Sequence, residues 1–236
     1  QFFVPPEKEM EFYETWRAKR WQYYLDLGFK EAHLKWHEHE HLVFYAKAAW
    51  DIEYKYPFGF KELEGVHARG DYDLTQHQKF SGKDLSYFDS ATNERYVPHI
   101  VETSVGVDRT FLAVMTEFYD EDELGGEKRV VLRFPKQLAP IKVAVFPLLK
   151  NKPELVTKAL EIFNQLKKEM RCEFDDNGNI GKRYRRQDEI GTPYCVTIDF
   201  ETLEGNLKDT VTVRDRDTGE QKRVAIANLT AFLKEG

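Results

Sequence analysis

The sequence predicts an α+β protein in two parts, one over residues 1–137 and an α/β part over residues 138–236. Two changes in the apolar pattern support this division. At Ser104–Gly106 a strand-like segment passes directly into a segment with helical spacing. After Pro135 the pattern restarts as alternating strands and helices. This second stretch of about 100 residues is long enough to fold as an independent domain.

The first part begins with a predicted helix that carries Trp16 and Tyr24 on its apolar face and ends near Gly28. A second helix is predicted from His41 to Trp50. The polar stretch Asp71–Asn93 is predicted as irregular chain with a hairpin. The remaining predictions are strands Phe58–Val66 and Tyr96–Thr103, a helix that contains Val107, Phe111, Met115 and Phe118, and a surface loop at Asp120–Glu127.

The second part is predicted to open with a buried strand, Ile141–Phe146, followed by a helix with Pro153 at its first position. The apolar face of that helix comprises Leu155, Ala159, Ile162, Phe163 and Leu166. The later predicted elements are a basic helix Ile180–Ile190, an alternating strand Tyr194–Phe200, paired strands Val211–Arg214 and Lys222–Ile226, and a short final helix.

Composition is typical of a globular protein with a real core, since 41% of the 236 residues are hydrophobic and 32% are charged. No apolar run approaches the roughly 18 to 20 residues that span a bilayer, so no membrane segment is predicted. The two cysteines fit a reducing compartment, and a cytoplasmic location is predicted. Because the net charge is −6, any contact with nucleic acid is expected to be local, with the basic run Lys182–Arg186 as the obvious place.

The segment Glu102–Arg109 places chemically useful groups around a predicted strand–helix turn. Glu102 and Ser104 point to one face of an extended strand, and Gly106 allows the chain to pass close to a ligand. Arg109, at the start of the helix, suits a phosphate by charge and geometry. Taken alone, these residues could equally be a surface Glu and Arg that flank a turn.

Longer blocks make the interpretation specific. The chain resembles glycyl-tRNA synthetases in ELEGVHARGDYDL, YVPHIVETSVGVDR and LAPIKVAVFPL, and in the same order in DDNGNIGKRYRRQDEIGTPYCVTIDFETL and TVTVRDRDTGEQKRV. The similarity extends over essentially all 236 residues. The resemblance implies a partial class II synthetase catalytic domain built on an antiparallel sheet, followed by an α/β anticodon-binding domain with a mixed sheet.

The resemblance also implies roles for individual residues. Arg109 and Glu62 match catalytic positions, with Glu62 contacting ATP through a magnesium ion. The positions that match glycine-binding residues are Glu102, Thr103, Ser104, Val105, Gly106 and Arg69, and those that match ATP-binding residues are Glu62, Leu63, Gly106, Val107, Asp108 and Arg109. The implied reaction is attack of the glycine carboxylate on the α-phosphate of ATP, then transfer of glycine to tRNA. Selection of glycine would require that both charged ends are held while the α-carbon is crowded.

The second part resembles the class IIa anticodon-binding module. Its candidate anticodon-binding residues are Arg185, Arg186, Asp188, Glu189 and Arg214. Arginine can contact guanine edges or phosphates, and carboxylates can accept from the amino group of cytosine. The alternative interpretation is that these residues form salt bridges within the domain.

A run of histidines, His33, His37, His39 and His41, raises the question of a metal site. On a helix, His37 and His41 would share a face at i, i+4 spacing. No third ligand motif follows, and the resembling family has no zinc site here. The sequence therefore favours surface or tRNA-facing histidines.

Nothing in the sequence resembles class II motifs 1 and 2, which build the dimer interface and half of the ATP site. The first residue is Gln1, so the true N-terminus is expected to lie elsewhere. The expected partners are glycine, tRNA(Gly) and the N-terminal remainder of the synthetase, and the complete enzyme is expected to be a homodimer. The isolated chain is predicted to be inactive. The alternatives are a non-catalytic, synthetase-derived nucleic-acid-binding protein and another class IIa synthetase.

Overall fold

The computed structural model describes residues 1–42 and 46–235. Contacts within the chain define two compact units, Gln1–Glu117 and Phe118–Gly236. The contact boundary therefore lies earlier in the chain than the boundary between 137 and 138 predicted from the sequence, which remains a prediction about domain identity.

The first unit contains a five-stranded antiparallel sheet, a long helix, two shorter helices and a small hairpin. Its elements are β1 (Phe2–Val4), α1 (Glu9–Asp26), β2 (Leu34–Glu38), β3 (Ala48–Tyr56), β4 (Gly59–Ala68), α2 (Tyr72–Ser81), β5 (Tyr87–Asp89), β6 (Glu94–Tyr96), β7 (His99–Val105) and α3 (Val107–Phe118). The main sheet has the order β1-β7-β4-β3-β2, and β5 pairs with β6.

One face of this sheet is covered by α1. Val66, Ala68 and Val101 are fully buried there and pack with Val4 and Tyr13. Because successive side chains of a strand point to opposite faces, the residues between them in β4 and β7 point to the other face. That second face carries the candidate site.

The end of α1 explains the glycine that the sequence places after it. Gly28 has a φ of 93°, its N–H donates to the carbonyl of Leu25, and the N–H of Phe29 donates to the carbonyl of Tyr24. This pair of bonds is the Schellman arrangement, which satisfies carbonyls that the helix leaves open. The glycine signal at the end of this helix is confirmed.

The second unit is built on a mixed sheet with helices on both faces. Its elements are β8 (Tyr119–Leu124), β9 (Glu127–Leu132), β10 (Val143–Pro147), α4 (Pro153–Leu166), β11 (Cys172–Phe174), α5 (Ile180–Ile190), β12 (Tyr194–Ile198), α6 (Phe200–Leu203), β13 (Thr210–Asp215), β14 (Gln221–Ala225) and α7 (Leu229–Glu235). The sheet order is β11-β10-β12-β13-β14, with parallel pairing on both sides of β10 and antiparallel pairing elsewhere.

Alternation along β10 divides the core of this unit. Val143 and Val145 face the helix α4, whose buried residues include Leu155 and Ile162. Ala144 and Phe146 face the opposite side, where Tyr184 of α5 packs against them. The α+β class and the two sheet types expected from the resemblance are confirmed.

Three local predictions are wrong. The helix predicted from His41 to Trp50 falls partly on residues 43–45, outside the described residues, and Ala48–Trp50 belong to the strand β3. The helix α2 occupies much of the stretch predicted as irregular, although the hairpin in that stretch is present as β5 and β6. The loop predicted at Asp120–Glu127 is the hairpin β8–β9, which turns at Gly125 and Gly126 with positive φ at both.

Within the described ranges, no helix combines the length and apolar character needed to cross a membrane.

Candidate functional site

Neighbouring strands in the first unit place two predicted glycine-site residues, Glu102 and Ser104, opposite two residues that the sequence prediction did not include. In the antiparallel pairing of β4 with β7, Gly65 lies opposite Ser104 and His67 lies opposite Glu102. These four residues share the face of the sheet that is turned away from α1. Glu102 and Ser104, predicted to act together, are therefore presented on the same surface.

Glu102 is held by three side chains on this face. Arg69 donates from Nη1 to Oε1 at 3.1 Å, and Gln1 donates from Nε2 to Oε2 at 2.7 Å. Nδ1 of His67 lies 3.5 Å from Oε1. Partial burial alone would raise the pKa of Glu102, but the bond from Gln1 and the charges of Arg69 and His67 outweigh it and hold the pKa below its usual value. Glu102 is thus an anion at neutral pH.

Arg69 follows β4 directly and is anchored at both ends of its guanidinium. Its Nε donates to Oδ2 of Asp73 at 2.9 Å, while Nη1 contacts Glu102. A guanidinium and a carboxylate therefore lie side by side at the open face. That arrangement suits a small zwitterion, whose two ends carry the opposite charges.

The crowded glycine on this face is Gly65. A Cβ atom added there would lie 2.8 Å from the His67 ring and 3.3 Å from Oδ1 of Asp51. At Gly106 the nearest atom would be Cγ of Arg109 at 3.8 Å, an ordinary contact. Of these two glycines, Gly65 is therefore the one where a side chain would not fit, while a Cβ atom at Gly106 would make only ordinary contacts.

The two residues matched to catalytic positions contact each other. Nη1 of Arg109 lies 3.1 Å from Oε2 of Glu62 and also donates to the Glu62 carbonyl at 3.0 Å. Both side chains are about half exposed, at 54% and 52%. A surface pair of this kind contributes only about 0–1 kcal/mol. A phosphate or a metal ion could therefore replace either partner at little cost.

The remaining candidate residues of this unit differ in where their side chains point and in how far they are buried. Thr103 and Val105 alternate with Glu102 and Ser104, so their side chains point to the opposite face of the sheet. The Leu63 side chain is buried, which leaves only its backbone for a ligand. Val107 and Asp108 are exposed in the first turn of α3.

The histidine run does not form an α-helix, and His37 is its one member that lies in a strand. His37 lies in β2, and His33 precedes this strand and bonds through Nδ1 to Glu117 at 2.7 Å. The i, i+4 helical pairing of His37 with His41 is therefore wrong. His39 instead lies near His67, with a distance of 6.1 Å between ring centroids.

In the second unit, three of the five predicted anticodon residues line one cleft. The cleft has a volume of about 480 Å³, within the range of ligand-binding pockets. Its lining residues are Leu124, Glu127, Asn179, Gly181, Lys182, Tyr184, Arg185, Asp188 and Arg214. Charged groups of both signs thus surround an aromatic ring in a space that can receive a planar group.

Asp188 lies at the floor of the cleft and is fully buried. Both of its oxygens accept from Arg214, at 2.8 and 3.0 Å, and Oδ2 also accepts from Nη1 of Arg129 at 3.0 Å. Cζ of Arg214 lies 4.8 Å from the centre of the Tyr184 ring. The two hydrogen bonds to Asp188 therefore hold the Arg214 guanidinium over the tyrosine ring. Because both carboxylate oxygens of Asp188 already accept hydrogen bonds, the role of Asp188 is to position Arg214.

Arg185 is a cleft residue with a shielded hydrogen-bond donor that lacks a partner within the described ranges. Its Nη2 donates to Oε2 of Glu127 at 3.0 Å. Its Nη1 is shielded from solvent and has no hydrogen-bond partner within the described ranges. An unpaired buried donor is costly, so this atom is poised to bind an acceptor from a ligand.

The other two predicted anticodon residues lie apart from the cleft lining. Arg186 donates to Asp175 and to the carbonyl of Asn177. Glu189 is exposed on α5. Arg183, in the same basic run, is buried and donates to carbonyls, among them those of Asp176 and Gly178 at 2.9 and 2.8 Å. The basic run therefore serves partly to hold loops in place.

Glu127 and Tyr184 are cleft residues that the sequence prediction missed. Glu127 falls in the predicted surface loop, although the Gly125-Gly126 pair is a hairpin signal. Tyr184 lies within the basic run Lys182–Arg186, where four of the five residues are basic and indicate a charged surface. Spacing on α5 places Tyr184 and Asp188 four residues apart, on one face of the helix.

Comparisons with known proteins show which families the chain is similar to. Residues 142–236 match the family model of the anticodon binding domain. A glycine–tRNA ligase of Clostridium acetobutylicum is 50% identical, over 100% of this chain and 50% of that protein. Those of Chlorobaculum tepidum and Treponema denticola are both 48% identical over 99% of this chain, and over 49% and 53% of the relatives.

The matched relatives define the class to which the chain is related, the aminoacyl-tRNA synthetases. More particularly, the chain is similar over its whole length to glycine–tRNA ligases, which agrees with the resemblance seen in the sequence. The chain spans about half the length of the curated relatives that it matches.

Proposed function

We propose that the chain supplies the glycine- and ATP-binding segment and the anticodon-binding domain of a glycine–tRNA ligase. That enzyme would use ATP to convert glycine to glycyl-adenylate and would then transfer the glycyl group to tRNA(Gly). The observation that carries the proposal is the contact between Arg69 and Glu102 on the open face of the sheet, with Ser104 two residues along the same strand.

Glycine would bind by its two charged ends. The Glu102 carboxylate would accept the ammonium group, and Arg69 would donate to the carboxylate of the amino acid. His67 and Gly65 form the surface beneath. Selection for glycine would follow from the lack of space for a side chain at the α-carbon, since a pocket cannot select the smallest amino acid by contacts with a side chain.

Arg109 would bind a phosphate of ATP after release from Glu62. Because the Arg109–Glu62 pair is exposed, exchange of one partner for phosphate costs little. The half-exposed carboxylate of Glu62 is also a suitable ligand for Mg²⁺, which prefers one or two carboxylates together with substrate phosphates. When bound, the ion would neutralise phosphate charge. At the terminal phosphate, Arg109 would add positive charge to the pyrophosphate that leaves when glycine attacks the α-phosphate, and preorganised electrostatic stabilisation of this kind is a large part of catalysis.

The second unit would bind the anticodon loop in the cleft on α5. A splayed base can stack on Tyr184 or on the Arg214 guanidinium, and Nη1 of Arg185 can donate to a base edge or a phosphate. Asp188 would position Arg214, and Arg186 and Glu189 would act at the margin of the interface. Because charges of both signs line the cleft, recognition would be specific and local.

The complete enzyme would need the part of the synthetase that this chain does not cover and would act as a homodimer. Both cysteines are free, which supports a cytoplasmic location.

Glycine-dependent exchange between ATP and pyrophosphate, together with direct tRNA binding, tests the proposal. The chain alone should bind tRNA(Gly) and show no exchange, whereas the chain combined with the remainder of the synthetase should show both. Exchange restored with Glu102→Gln in place of the wild type would contradict the assigned role of Glu102. If the combined protein binds tRNA but never shows exchange, the alternative of a non-catalytic RNA-binding protein is correct.

A further inference from the structure

Three side chains of metal-ligating types converge on the face of the sheet that carries the glycine site, and the proposed reaction gives none of them a chemical step. Asp51 of β3 lies opposite Gly65, His67 follows in β4, and His39 lies just after β2. One donor atom from each of the three lies within 4.8 Å of the others. Strands from three parts of the chain therefore bring together two imidazoles and one carboxylate.

The two imidazoles point the same ring nitrogen at opposite oxygens of Asp51. Nε2 of His39 lies 2.8 Å from Oδ2, within hydrogen-bond range, and Nε2 of His67 lies 3.8 Å from Oδ1, which is too long for a hydrogen bond. Two ligands on a tetrahedral zinc ion, with bonds of about 2.0 to 2.1 Å, lie about 3.3 Å apart. The observed separations bracket that value, so modest side-chain shifts would bring all three donors onto one ion.

The surroundings of the cluster have two features of a metal site. Nδ1 of His67 faces Oε1 of Glu102 at 3.5 Å, and such a carboxylate behind a histidine orients the other nitrogen towards a metal. Around the cluster, Asp51, Glu102 and Asp73 carry three negative charges and Arg69 carries one positive charge. The net charge of these four side chains is −2, which would balance a divalent cation.

Space is available for the ion and for a fourth ligand. Gly65 has no side chain, and a Cβ atom there would occupy the space between the His67 ring and Asp51. A pocket of about 220 Å³, lined by His39, His67 and Ala49 among others, opens beside the cluster. An open fourth position is the arrangement of zinc sites that also bind water or a substrate.

We propose that His39, Asp51 and His67 form a binding site for a divalent transition metal of the zinc class, with one coordination position open towards the pocket. Imidazole ligands favour zinc over magnesium, so this site is separate from a magnesium ion bound with ATP. Since His67 also faces Glu102, the occupied site would lie next to the group proposed to bind the glycine ammonium.

Equilibrium dialysis of the full 236-residue chain against Zn²⁺, followed by metal analysis, tests the proposal. The wild type should bind one Zn²⁺ per chain in the presence of excess Mg²⁺. His67→Ala and Asp51→Asn should each weaken binding at least about tenfold, and His77→Ala, an exposed histidine on α2, should leave it unchanged.

A second measurement separates metal binding from a loss of folding. Zn²⁺ should raise the Tm of the wild type and of His77→Ala, and not that of His67→Ala, whose circular dichroism should match the wild type. Gly65→Ala retains all three ligands but crowds them, and should also weaken binding. Wild-type protein without stoichiometric Zn²⁺, or equal Zn²⁺ affinity in wild type and His67→Ala, would overturn the proposal. Either result leaves the synthetase proposal intact, because that proposal is tested by exchange and tRNA binding.

Discussion

Arg129 donates from Nη1 to Oδ2 of Asp188 at 3.0 Å, and both side chains are shielded from solvent. The guanidinium of Arg129 also donates to both oxygens of Asp122, at 2.6 and 2.8 Å, and to the carbonyls of Arg216 and Asp217. All five of its N–H groups are therefore satisfied. Burial alone would lower the pKa of this guanidinium, but the hydrogen bond to Asp122, the largest contribution, together with Asp188, raises it.

Replacement of Arg129 by alanine should destabilise the second unit by about 3–5 kcal/mol. The change leaves the Asp188 carboxylate buried with one cation fewer, and breaking a buried pair from one side is costly. Arg133 provides the matched control, because it directly follows β9 and also binds Asp122 but is 30% exposed. Arg133→Ala should cost about 1 kcal/mol or less in urea unfolding. Equal losses for the two variants would contradict the importance of burial.

Gly191 and Gly205 separate a backbone effect from a packing effect. Both have a φ of 81°. Because this is the left-handed region, alanine at either position should lower the free energy of unfolding by about 1–2 kcal/mol. At Gly191 a Cβ atom would also lie 2.5 Å from Cδ2 of Phe134 and 2.9 Å from the carbonyl of Leu132, whereas at Gly205 nothing lies within 4 Å. Gly191→Ala should therefore cost about 1–3 kcal/mol more than Gly205→Ala. Measured free energies of unfolding that agree within error would exclude the clash.

Two neighbouring arginines should differ in their effect on tRNA binding. Arg185 lines the cleft and has an unpaired buried donor, whereas Arg186 is bonded to Asp175 away from the lining. Arg185→Ala should weaken binding of tRNA(Gly) by about 1–3 kcal/mol, roughly 5- to 150-fold in Kd, at fixed salt. Arg186→Ala should have a much smaller effect in the same filter-binding or fluorescence assay. A larger loss with Arg186→Ala would show that the RNA does not use this cleft.

The stability of the first unit should fall in acid through Glu9. Its carboxylate is buried and accepts from Lys47, from the Gly70 N–H and from His99, at 2.5, 2.7 and 2.7 Å. Burial alone would raise the pKa of Glu9, but these contacts outweigh it and lower the pKa below its usual value of 4.5. The charged form is therefore stabilised in the folded state. Its contribution is complete above that value and is lost as the pH falls through the lower folded pKa.

Urea unfolding of Glu9→Gln and wild type measures this contribution. The difference in their free energies of unfolding should be largest near neutral pH and should shrink below pH 4.5. Glu11→Gln, on the exposed side of the same helix, is the control and should show little effect at any pH. A difference for Glu9→Gln that stays constant with pH would show that the carboxylate charge does not contribute.

The helices and strands that the sequence predicts correctly are mostly those marked by nearby residues, such as a capping residue or a proline at the first helical position. The helix Ile180–Ile190 is confirmed with the bounds predicted for it, because it begins at the cap residue Asn179 and ends at Gly191. Pro153 begins α4, and its buried face is the predicted one. The strand β3 is absent from the predictions although Ile52, Tyr54 and Tyr56 alternate with charged residues, which is a local strand signal. Its pairing with β2 and β4 places it inside the sheet.

By itself, the sequence determined the class of the chain, the order of most helices and strands, and the resemblance to glycyl-tRNA synthetases, because these depend on local spacing and on long matching blocks. The tertiary structure decided which side chains meet. Pairing of β3, β4 and β7 brings Asp51, His67 and Glu102 to one face, although they are far apart along the chain. The fold likewise buries Asp188 beneath Arg214 and leaves a donor of Arg185 open in the same cleft. Such contacts depend on strand register and helix packing, which are set by the whole fold and leave no local signal in the sequence.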